Sequence, residues 1–408
     1  MDQGLDVEAE VTPIEVEDVA VADADAPAPS SVAPPTVLVL WCGHRSGPWA
    51  LRSLARAGMR AIAAHPEGDD GGRTAACRSP RPYPDPVSRP ADFIDWLRAT
   101  CAAEPVDVVM ALDEDVVRLI AEAAPDLGRA VVAGPDARQY RMLCDKLELA
   151  ASAAAAGVDH PPTVEVRGGV PMGPWPPLPS IVKPRTSVSD SVRAPVVSVA
   201  TGAERAAAIA HLRASGLDAV VQEQIRGQAW VLHCVRGGDG VHTVAARVET
   251  TWPRVVGTSS VSRVTPAPPA LEAAAARLLD LVGYRGPCCM NLLERDGRFW
   301  FHDVNLRLAA SVGAAVSAGF EQPALGVRAA LGEPVTPPPR LRAITYVPLP
   351  GELSALGAAL HGRGGESPVA LLRRLLRAAL GRGHTLDPPL RDPWWLVRRL
   401  RRSGSASG

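Results

Sequence analysis

The segment of residues 286–311 constrains the fold most strongly, because its pattern is typical of a β-hairpin. An apolar run leads into a polar tip at residues 295–297, and an aromatic-rich run follows. A three-residue loop with Gly297 in the left-handed region predicts a type I turn followed by a bulge. The side chains that this register places on one face are Asn291, Phe301, Asp303 and Asn305. A two-residue loop would instead turn Asn291 to the opposite face.

Polar side chains recur at every second position where this hairpin ends. Asp303, Asn305 and Arg307 bring a carboxylate, an amide and a guanidinium group to the same side of the strand. Hard oxygen ligands beside a planar cation suit Mg²⁺ that carries a polyphosphate. The hairpin therefore predicts a metal and phosphate site at the end of its second strand.

Two residue types are rare in this chain. Only Lys146 and Lys183 are lysines among 43 basic residues, and only Asn291 and Asn305 are asparagines. Lysine is a compact point charge whereas arginine is a wide planar fork, so the two differ at a phosphate group. A retained lysine therefore indicates a position that arginine would not serve, although four rare residues could also remain by chance.

Four segments resemble motifs of the ATP-grasp superfamily, in that family's order, over residues 133–333. Asp145-Lys146 resembles its Asp-Lys pair, and residues 181–184 resemble the strand that carries the second phosphate lysine. Residues 221–227 resemble the inter-lobe strand that contacts adenine, and residues 303–307 resemble the metal strand, usually Glu-x-Asn-Pro-Arg. The likeness is to carboxylate–amine or carboxylate–thiol ligases, similar to biotin carboxylase and the large subunit of carbamoyl-phosphate synthase.

This resemblance implies a role for each residue of the motifs. Arg307 and Lys183 are the predicted catalytic residues, and Arg307 would face the transferred phosphoryl group or the acyl phosphate. The predicted contacts to ATP are Lys146, Lys183, Ser187, Ser189, Gln222, Glu223, Gln224 and Ile225. The predicted ligands of Mg²⁺, or of Mn²⁺ in its place, are Asp303, Asn305 and Asn291. In a gapless alignment, Asn291 falls on the first metal carboxylate of biotin carboxylase.

The resemblance implies an ATP-dependent ligase that activates a carboxylate as an acyl phosphate and joins it to an amine. A carboxylate that attacks ATP must approach another anion, so the site must neutralise charge and hold the reactants in line. The expected partners are small-molecule carboxylate and amine substrates. The expected product is an amide or a peptide-like bond.

The sequence also departs from the family pattern. Residues 185–191, where the family has a glycine-rich flap over the phosphates, contain four hydroxyl side chains and no glycine. Ala229 stands where relatives commonly place a carboxylate toward the ribose, and Leu306 replaces the usual proline. Two alternatives therefore stay open. One is a nucleotide-binding protein that has lost turnover, and the other is an ATP-grasp phosphotransferase or carboxyphosphate-forming enzyme.

The predicted fold class is α/β, with a Rossmann-like domain, a two-lobed α+β ATP-grasp domain and a helical basic C-terminal extension. A βαβ pattern over residues 36–64 supports the first part, although it lacks a GxGxxG fingerprint. The predicted boundaries are a disordered acidic and Pro/Ala-rich tail at 1–35, the Rossmann-like domain at 36–136, the ATP-grasp domain at 137–335 with lobes at 137–226 and 227–335, and the extension at 336–408. One helix over residues 137–156 is expected to carry Lys146.

The resemblance further implies that the N-terminal domain helps to hold the acceptor substrate. His44, Arg45 and residues 113–115 stand at the ends of predicted strands. Open α/β sheets bind their ligands there. Loop and helix-cap roles would explain the same residues equally well.

Charge and composition exclude several classes of protein. A net charge of −1 gives no whole-chain attraction to nucleic acid. No apolar run reaches the ~18 residues of a membrane span, and no signal peptide opens the chain. Seven cysteines without a CxxC pair fit small buried side chains in a reducing compartment. We therefore expect a cytoplasmic protein.

Two segments of the C-terminal extension, residues 369–380 and 394–402, show the pattern of basic amphipathic helices. Trp394 and Trp395 beside the arginines of the second segment could rest on an anionic membrane surface. A helix that faces solvent or a protein partner is the alternative. A homodimer is a further expectation.

Overall fold

The computed structural model describes residues 33–68, 77, 80–186, 196–252, 259–363, 365–381 and 383–387. By its contacts the chain divides into Met1–Ala33 and Pro34–Gly408, and every described helix and strand belongs to the second part. Three predictions lie outside the described residues. They concern the tail up to residue 32, the flap residues 187–191 with Ser187 and Ser189, and the helix at 394–402.

A five-stranded parallel sheet forms the N-terminal part of the fold. Its strands are β1 (Thr36–Leu40), β2 (Arg60–Pro66), β3 (Arg81–Tyr83), β4 (Val108–Ala111) and β5 (Val131–Val132), in the order β3-β2-β1-β4-β5. The connecting helices are α1 (Gly47–Arg56), α2 (Pro90–Ala103) and α3 (Glu114–Ala123). Strands β1 and β4 are buried at every position, as expected for parallel strands with both faces covered.

A second, antiparallel sheet carries the segments predicted to bind phosphate and adenine. Its strands are β6 (Thr163–Arg167), β7 (Val170–Pro171), β8 (Ser180–Pro184), β9 (Val197–Val199) and β10 (Ala219–Glu223), in the order β7-β6-β10-β8-β9. Helix α6 (Gly202–Ala214) packs on it, and its Ile209 and Leu212 join the core of this sheet. β8 and β10 are neighbours, so the predicted phosphate and adenine segments lie side by side.

A third sheet of seven strands carries the predicted metal hairpin at its edge. Its strands are β11 (Gln228–Arg236), β12 (Val241–Trp252), β13 (Ser259–Thr265), β14 (Gly286–Arg295), β15 (Arg298–Asn305), β16 (Ile344–Pro348) and β17 (His384–Asp387), in the order β15-β14-β11-β12-β13-β16-β17. Only the β16–β17 pair among these strands is parallel. The helices of this region are α7 (Pro269–Val282), α8 (Val312–Ser317), α9 (Gln322–Ala330), α10 (Leu349–Leu360) and α11 (Pro368–Ala379). The mixed α/β class is thus confirmed.

The prediction of one helix over residues 137–156 is wrong. The structure has α4 (Ala137–Cys144) and α5 (Lys146–Ala155), separated by Asp145, whose backbone is extended. The Asp145 side chain accepts hydrogen bonds from the backbone N–H groups of Leu147 and Glu148 and so caps α5. The break makes Lys146 the first residue of a helix instead of a residue in a helix interior.

The hairpin exists, but its predicted three-residue loop is wrong. Arg295 pairs with Arg298, so the loop contains only Asp296 and Gly297, both at positive φ as a type I′ turn requires. The bulge lies inside the ladder instead, where Leu292 pairs with Phe301 and Asn291 pairs with Asp303. The extra residue, His302, returns Asn291 to the face of Asp303 and leaves Phe301 on the other face, buried in the core.

One continuous hydrophobic core underlies the parallel sheet and the seven-stranded sheet. Leu38 of β1 belongs to the same buried cluster as Leu232 of β11 and Phe301 of β15. Leu278 of α7 and Leu149 of α5 extend this cluster. The packing therefore holds the hairpin, the lysine-bearing helix α5 and the parallel sheet in a fixed relation.

Gly227→Ala is expected to destabilise the protein at the crossing between the second and third sheets. A Cβ atom at Gly227 would lie 2.2 Å from the backbone oxygen of Glu294, and neither backbone segment can move without disturbing its sheet. Overpacking of this kind costs ~1–3 kcal/mol. We expect a lower midpoint of thermal unfolding, measured by calorimetry. Gly238→Ala, which meets no atom within 4 Å, is the control, and equal midpoints for the two variants would contradict the tight crossing.

Candidate active site

The two lysines and the hairpin carboxylate converge in one buried cluster. Lys146 begins α5, Lys183 lies in β8 and Asp303 lies near the end of β15. Only 4% of Lys146 and 6% of Lys183 is exposed. Three motifs from distant parts of the sequence therefore meet between the second sheet and the hairpin of the third sheet.

Lys146 and Asp303 form an ion pair, with 2.5 Å between Nζ and Oδ1. Burial acts to lower the pKa of Lys146, but the charge of Asp303 and its hydrogen bond outweigh burial and raise that pKa. Burial acts to raise the pKa of Asp303, and the charges of Lys146 and Lys183 outweigh it, so this pKa lies well below its usual range. Each group therefore keeps the other charged near neutral pH.

Lys183 is held by neutral oxygen atoms. Its Nζ donates to Gln222 Oε1 at 2.9 Å and to the backbone oxygen of His302 at 2.8 Å. Gln222 is itself oriented, because its Nε2 donates to Thr163 Oγ1 at 2.8 Å. Burial, together with the positive charge of Lys146, lowers the pKa of Lys183 to about 7. This lysine therefore lacks a full counter-charge, which a phosphate group would supply.

His302, which sequence reasoning missed, serves this site through its backbone. It is the extra residue of the bulge, and its carbonyl group is the one that accepts from Lys183. Burial, followed by the charge of Lys183, lowers the pKa of the His302 imidazole to about 4 and that of the neighbouring His160 to about 3. Both rings are therefore neutral near pH 7 and add no charge to the cluster.

The predicted metal ligands lie together on the hairpin. The Nδ2 atoms of Asn291 and Asn305 donate to Asp303 Oδ2 at 3.1 Å and 2.9 Å. The site thus offers one carboxylate and two amide groups, whose oxygen atoms suit Mg²⁺. The described residues contain no group of three or more His, Cys, Asp or Glu side chains that could hold a metal ion. A magnesium ion at this position would therefore take only part of its ligands from these three side chains.

Arg307 makes a contact that sequence reasoning missed. Its Nε donates to Glu114 Oε2 at 2.9 Å, and only 1% of the Glu114 side chain is exposed. Glu114 begins α3 directly after β4, at the carboxyl end of the parallel sheet. Residues 113–115 and Arg307 were each predicted to lie near a ligand, and the ion pair brings the two groups together. His44, also expected there, contacts Ser46 Oγ through Nδ1 at 2.7 Å.

Arg185 links the two lysine-bearing elements and was not singled out from the sequence. Its Nε donates to Asp145 Oδ2 at 2.7 Å, and its Nη1 donates to Glu165 Oε1 at 2.9 Å. The backbone N–H of Lys146 also donates to the backbone oxygen of Arg185 at 2.9 Å. The pattern Asp145-x-x-Glu148, typical of a helix start, was the signal that could have located this junction.

The predicted adenine segment crosses from the second sheet to the third. Glu223 ends β10, and its backbone N–H donates to the backbone oxygen of Pro162 at 2.9 Å. Gln224 Oε1 accepts from Ser198 Oγ at 2.8 Å, and Ile225 is buried. Gln222 contacts Lys183 and Thr163, so its side chain positions a lysine within the described structure.

The fold resembles those of several solved ligases. An L-amino acid ligase from Bacillus licheniformis superposes with a TM-score of 0.59 at 17% identity, over 75% of this chain and 78% of that chain. An N5-carboxyaminoimidazole ribonucleotide synthetase, solved as its ADP complex, superposes with a TM-score of 0.61 at 14% identity, over 85% of this chain and 86% of that chain. Biotin carboxylase from Campylobacter jejuni, complexed with β,γ-ATP, superposes with a TM-score of 0.56 at 15% identity, over 75% of this chain and 73% of that chain.

Sequence comparison gives no such likeness, since neither a protein-family model nor a curated protein matches the chain. The structural neighbours are ATP-grasp ligases, and the similarity extends over three quarters or more of the chain. The resemblance that the four motifs carried is thereby confirmed for the fold. This chain has the fold of the ATP-grasp superfamily.

Proposed function

We propose that this protein is an ATP-dependent ligase that activates a carboxylate as an acyl phosphate and joins it to an amine. The main support for this proposal is the cluster in which Lys146, Lys183 and Asp303 meet although they lie far apart in sequence. Two cations beside one carboxylate and two amide groups suit a polyphosphate with its metal ion. The neighbouring structures include an L-amino acid ligase and ligases in complex with ATP or ADP, and they support the same reaction class.

In the first step an oxygen of the substrate carboxylate attacks the γ-phosphorus of ATP, the bond to the bridging oxygen breaks, and ADP leaves. Lys146 and Lys183 would hold the phosphates, and Asp303, Asn305 and Asn291 would hold magnesium. Magnesium bound there supplies positive charge to the phosphate oxygens. Because Lys183 already lacks a full counter-charge, it is the group best prepared to receive a phosphate.

In the second step the amine attacks the acyl carbon, inorganic phosphate leaves, and the nitrogen loses a proton. Arg307 would face the acyl phosphate from the end of the hairpin. Glu114 holds Arg307 at the carboxyl end of β4, the edge at which open α/β sheets bind ligands. We therefore place the acceptor substrate between this edge and the hairpin.

The domain boundaries, the cellular compartment, two further phosphate contacts and the assembly of this protein are also proposals. We keep the boundaries at 36–136, 137–335 and 336–408 and the basic extension, whose described part contains strand β17 as well as helices. The buried Cys101, Cys144, Cys234, Cys288 and Cys289 form no disulfide among the described residues, and a reducing cytoplasm is the compartment that we propose. Ser187 and Ser189 are kept as candidate phosphate contacts, and a homodimer as a candidate assembly.

A nucleotide-binding protein without turnover is the second candidate. Ala229 lies in β11 opposite Leu293, so this part of the strand offers no carboxylate to a ribose. Loss of that contact would weaken nucleotide positioning without removing the phosphate cluster. An ATP-grasp phosphotransferase or a carboxyphosphate-forming enzyme would use the same cluster without an amine.

Release of ADP should require both a carboxylate and an amine. We expect the purified protein to form ADP with magnesium, ATP and pooled amino acids and carboxylates, and to release phosphate in equal amount. ADP release that needs only one added compound would favour the phosphotransferase or carboxyphosphate reaction. ATP binding without any ADP release across the pools would favour the protein without turnover.

Asp303→Asn should lower turnover by about a hundred- to a thousandfold, because it removes the charge that would hold magnesium and the lysine against the phosphates. The magnesium concentration for half-maximal activity should rise. The thermal unfolding midpoint should also fall, because Lys146 is left buried without its counter-charge. Asp280→Asn, on an exposed carboxylate paired with Arg236, is the control. Unchanged ADP formation and magnesium dependence in Asp303→Asn would refute the site.

ATP binding should take up a proton at about pH 8, above the Lys183 pKa of about 7. The free lysine is mostly neutral at that pH, and a bound phosphate favours its charged form, so binding raises the pKa and draws in about one proton. At about pH 6 the lysine is already charged and uptake should vanish. Calorimetric titration with magnesium and ATP in buffers of different ionisation enthalpy measures the number of protons taken up on binding. Lys183→Arg, always protonated, should abolish the uptake, and persistence of the uptake in that variant would contradict the assignment.

A further inference from the structure

Helix α11 turns apolar side chains toward solvent. Leu371 and Ala378 are buried, and Leu371 covers the sheet side of the helix with only 1% of its surface exposed. At 3.6 residues per turn, the opposite side carries Val369, Leu372, Leu376 and Leu380, which are 58%, 51%, 55% and 67% exposed. A helix on the surface of a globular protein normally has polar residues on this side. The outward side of α11 therefore lacks a partner among the described residues.

The neighbouring helix α10 also exposes apolar side chains. Leu353 and Leu360, two turns apart, are 40% and 68% exposed. α10 packs against α11, and both helices pack on strands of the seven-stranded sheet. We call the outward side of α11 the α11 surface, formed by Val369, Leu372, Leu376 and Leu380.

The charge beside these leucines is positive. Helix α11 contains three arginines and no acidic residue. Arg374 turns inward, where its Nε donates to Glu352 Oε2 at 2.7 Å and its Nη2 donates to Glu366 Oε2 at 2.6 Å. Arg373 and Arg377 are exposed and flank the apolar row, and no described residue forms an ion pair with either of them. Glu352 and Glu366 are thus already paired with Arg374.

Exposed leucines flanked by arginines match an interface that is apolar inside and anionic at its border. A second copy of this chain would bring two further arginines to the interface and no added acidic side chain from α11. Anionic lipid headgroups complement that charge, and the acyl chains beneath them accept leucines. None of the described helices is long and apolar enough to cross a membrane, so contact would run along the surface.

We propose that the α11 surface binds an anionic lipid bilayer. Leu372 and Leu376 enter the boundary between headgroups and acyl chains, while Arg373 and Arg377 remain at the phosphates. Lipid binding therefore adds a membrane-docking function at a surface of a C-terminal helix. The proposal does not depend on the ligase reaction.

Sedimentation of the full chain with vesicles tests the proposal. Wild-type protein should bind vesicles of phosphatidylcholine mixed with phosphatidylglycerol, bind pure phosphatidylcholine far less, and lose binding as salt rises. Leu372→Ser/Leu376→Ser should weaken binding about tenfold or more through lost apolar contact. Arg373→Gln/Arg377→Gln should weaken it about fivefold for each arginine. Val87→Ser/Val170→Ser, at residues 58% and 62% exposed on other parts of the surface, is the matched control and should leave binding unchanged.

Several results would overturn the proposal. They are absence of binding to anionic vesicles, equal binding to neutral ones, and equal loss of binding in the control variant. A wild-type dimer that Leu372→Ser/Leu376→Ser converts to a monomer, measured by light scattering, would make the surface an interface between copies. Leu372→Met/Leu376→Met should retain vesicle binding, and an unchanged thermal unfolding midpoint in each variant separates lost contact from misfolding.

Discussion

The buried contact between Lys146 and Asp303 is the interaction on which the rest of the site depends. The side chain of Lys146 is 5% exposed and that of Asp303 is 23% exposed, so each charge loses hydration here and the other charge offsets that loss. The pair joins the start of α5 to the edge of the seven-stranded sheet and, through the neighbouring Lys183, to the second sheet. Two local irregularities make it geometrically available, namely the helix break at Asp145 and the bulge at His302.

Much of the fold could be predicted because its signals are local. The βαβ pattern at residues 36–64 and the two strands of the hairpin follow from periodicity and turn residues. The cluster could be predicted because lysine and asparagine are rare here, so their positions carry information that a common residue would not. Lys146, Lys183 and Asp303 were each assigned from the sequence, and the structure brings them together.

The parts that sequence reasoning missed depend on tertiary contacts or on backbone geometry. The helix break at Asp145 has a local signal, Asp145-x-x-Glu148, which the prediction of one continuous helix overlooked, and the tertiary contact of Arg185 with the Asp145 carboxylate adds to it. The predicted loop length of the hairpin was wrong because Asp-Gly occurs in both two-residue and three-residue turns. The Arg307–Glu114 pair joins residues 193 positions apart, and no local sequence pattern indicates that the two side chains form an ion pair.

The bulge at His302 has a consequence for how such a site can be inherited. Its contribution to Lys183 is a carbonyl group, which every amino acid possesses, so the identity of the side chain at this position is nearly irrelevant to that contact. What matters is that one strand contains one residue more than its partner requires. A descendant could keep every motif side chain and still lose the arrangement through a single deletion between Gly297 and Asp303. Part of this site is thus encoded by chain length, a property that comparison of residue types does not register.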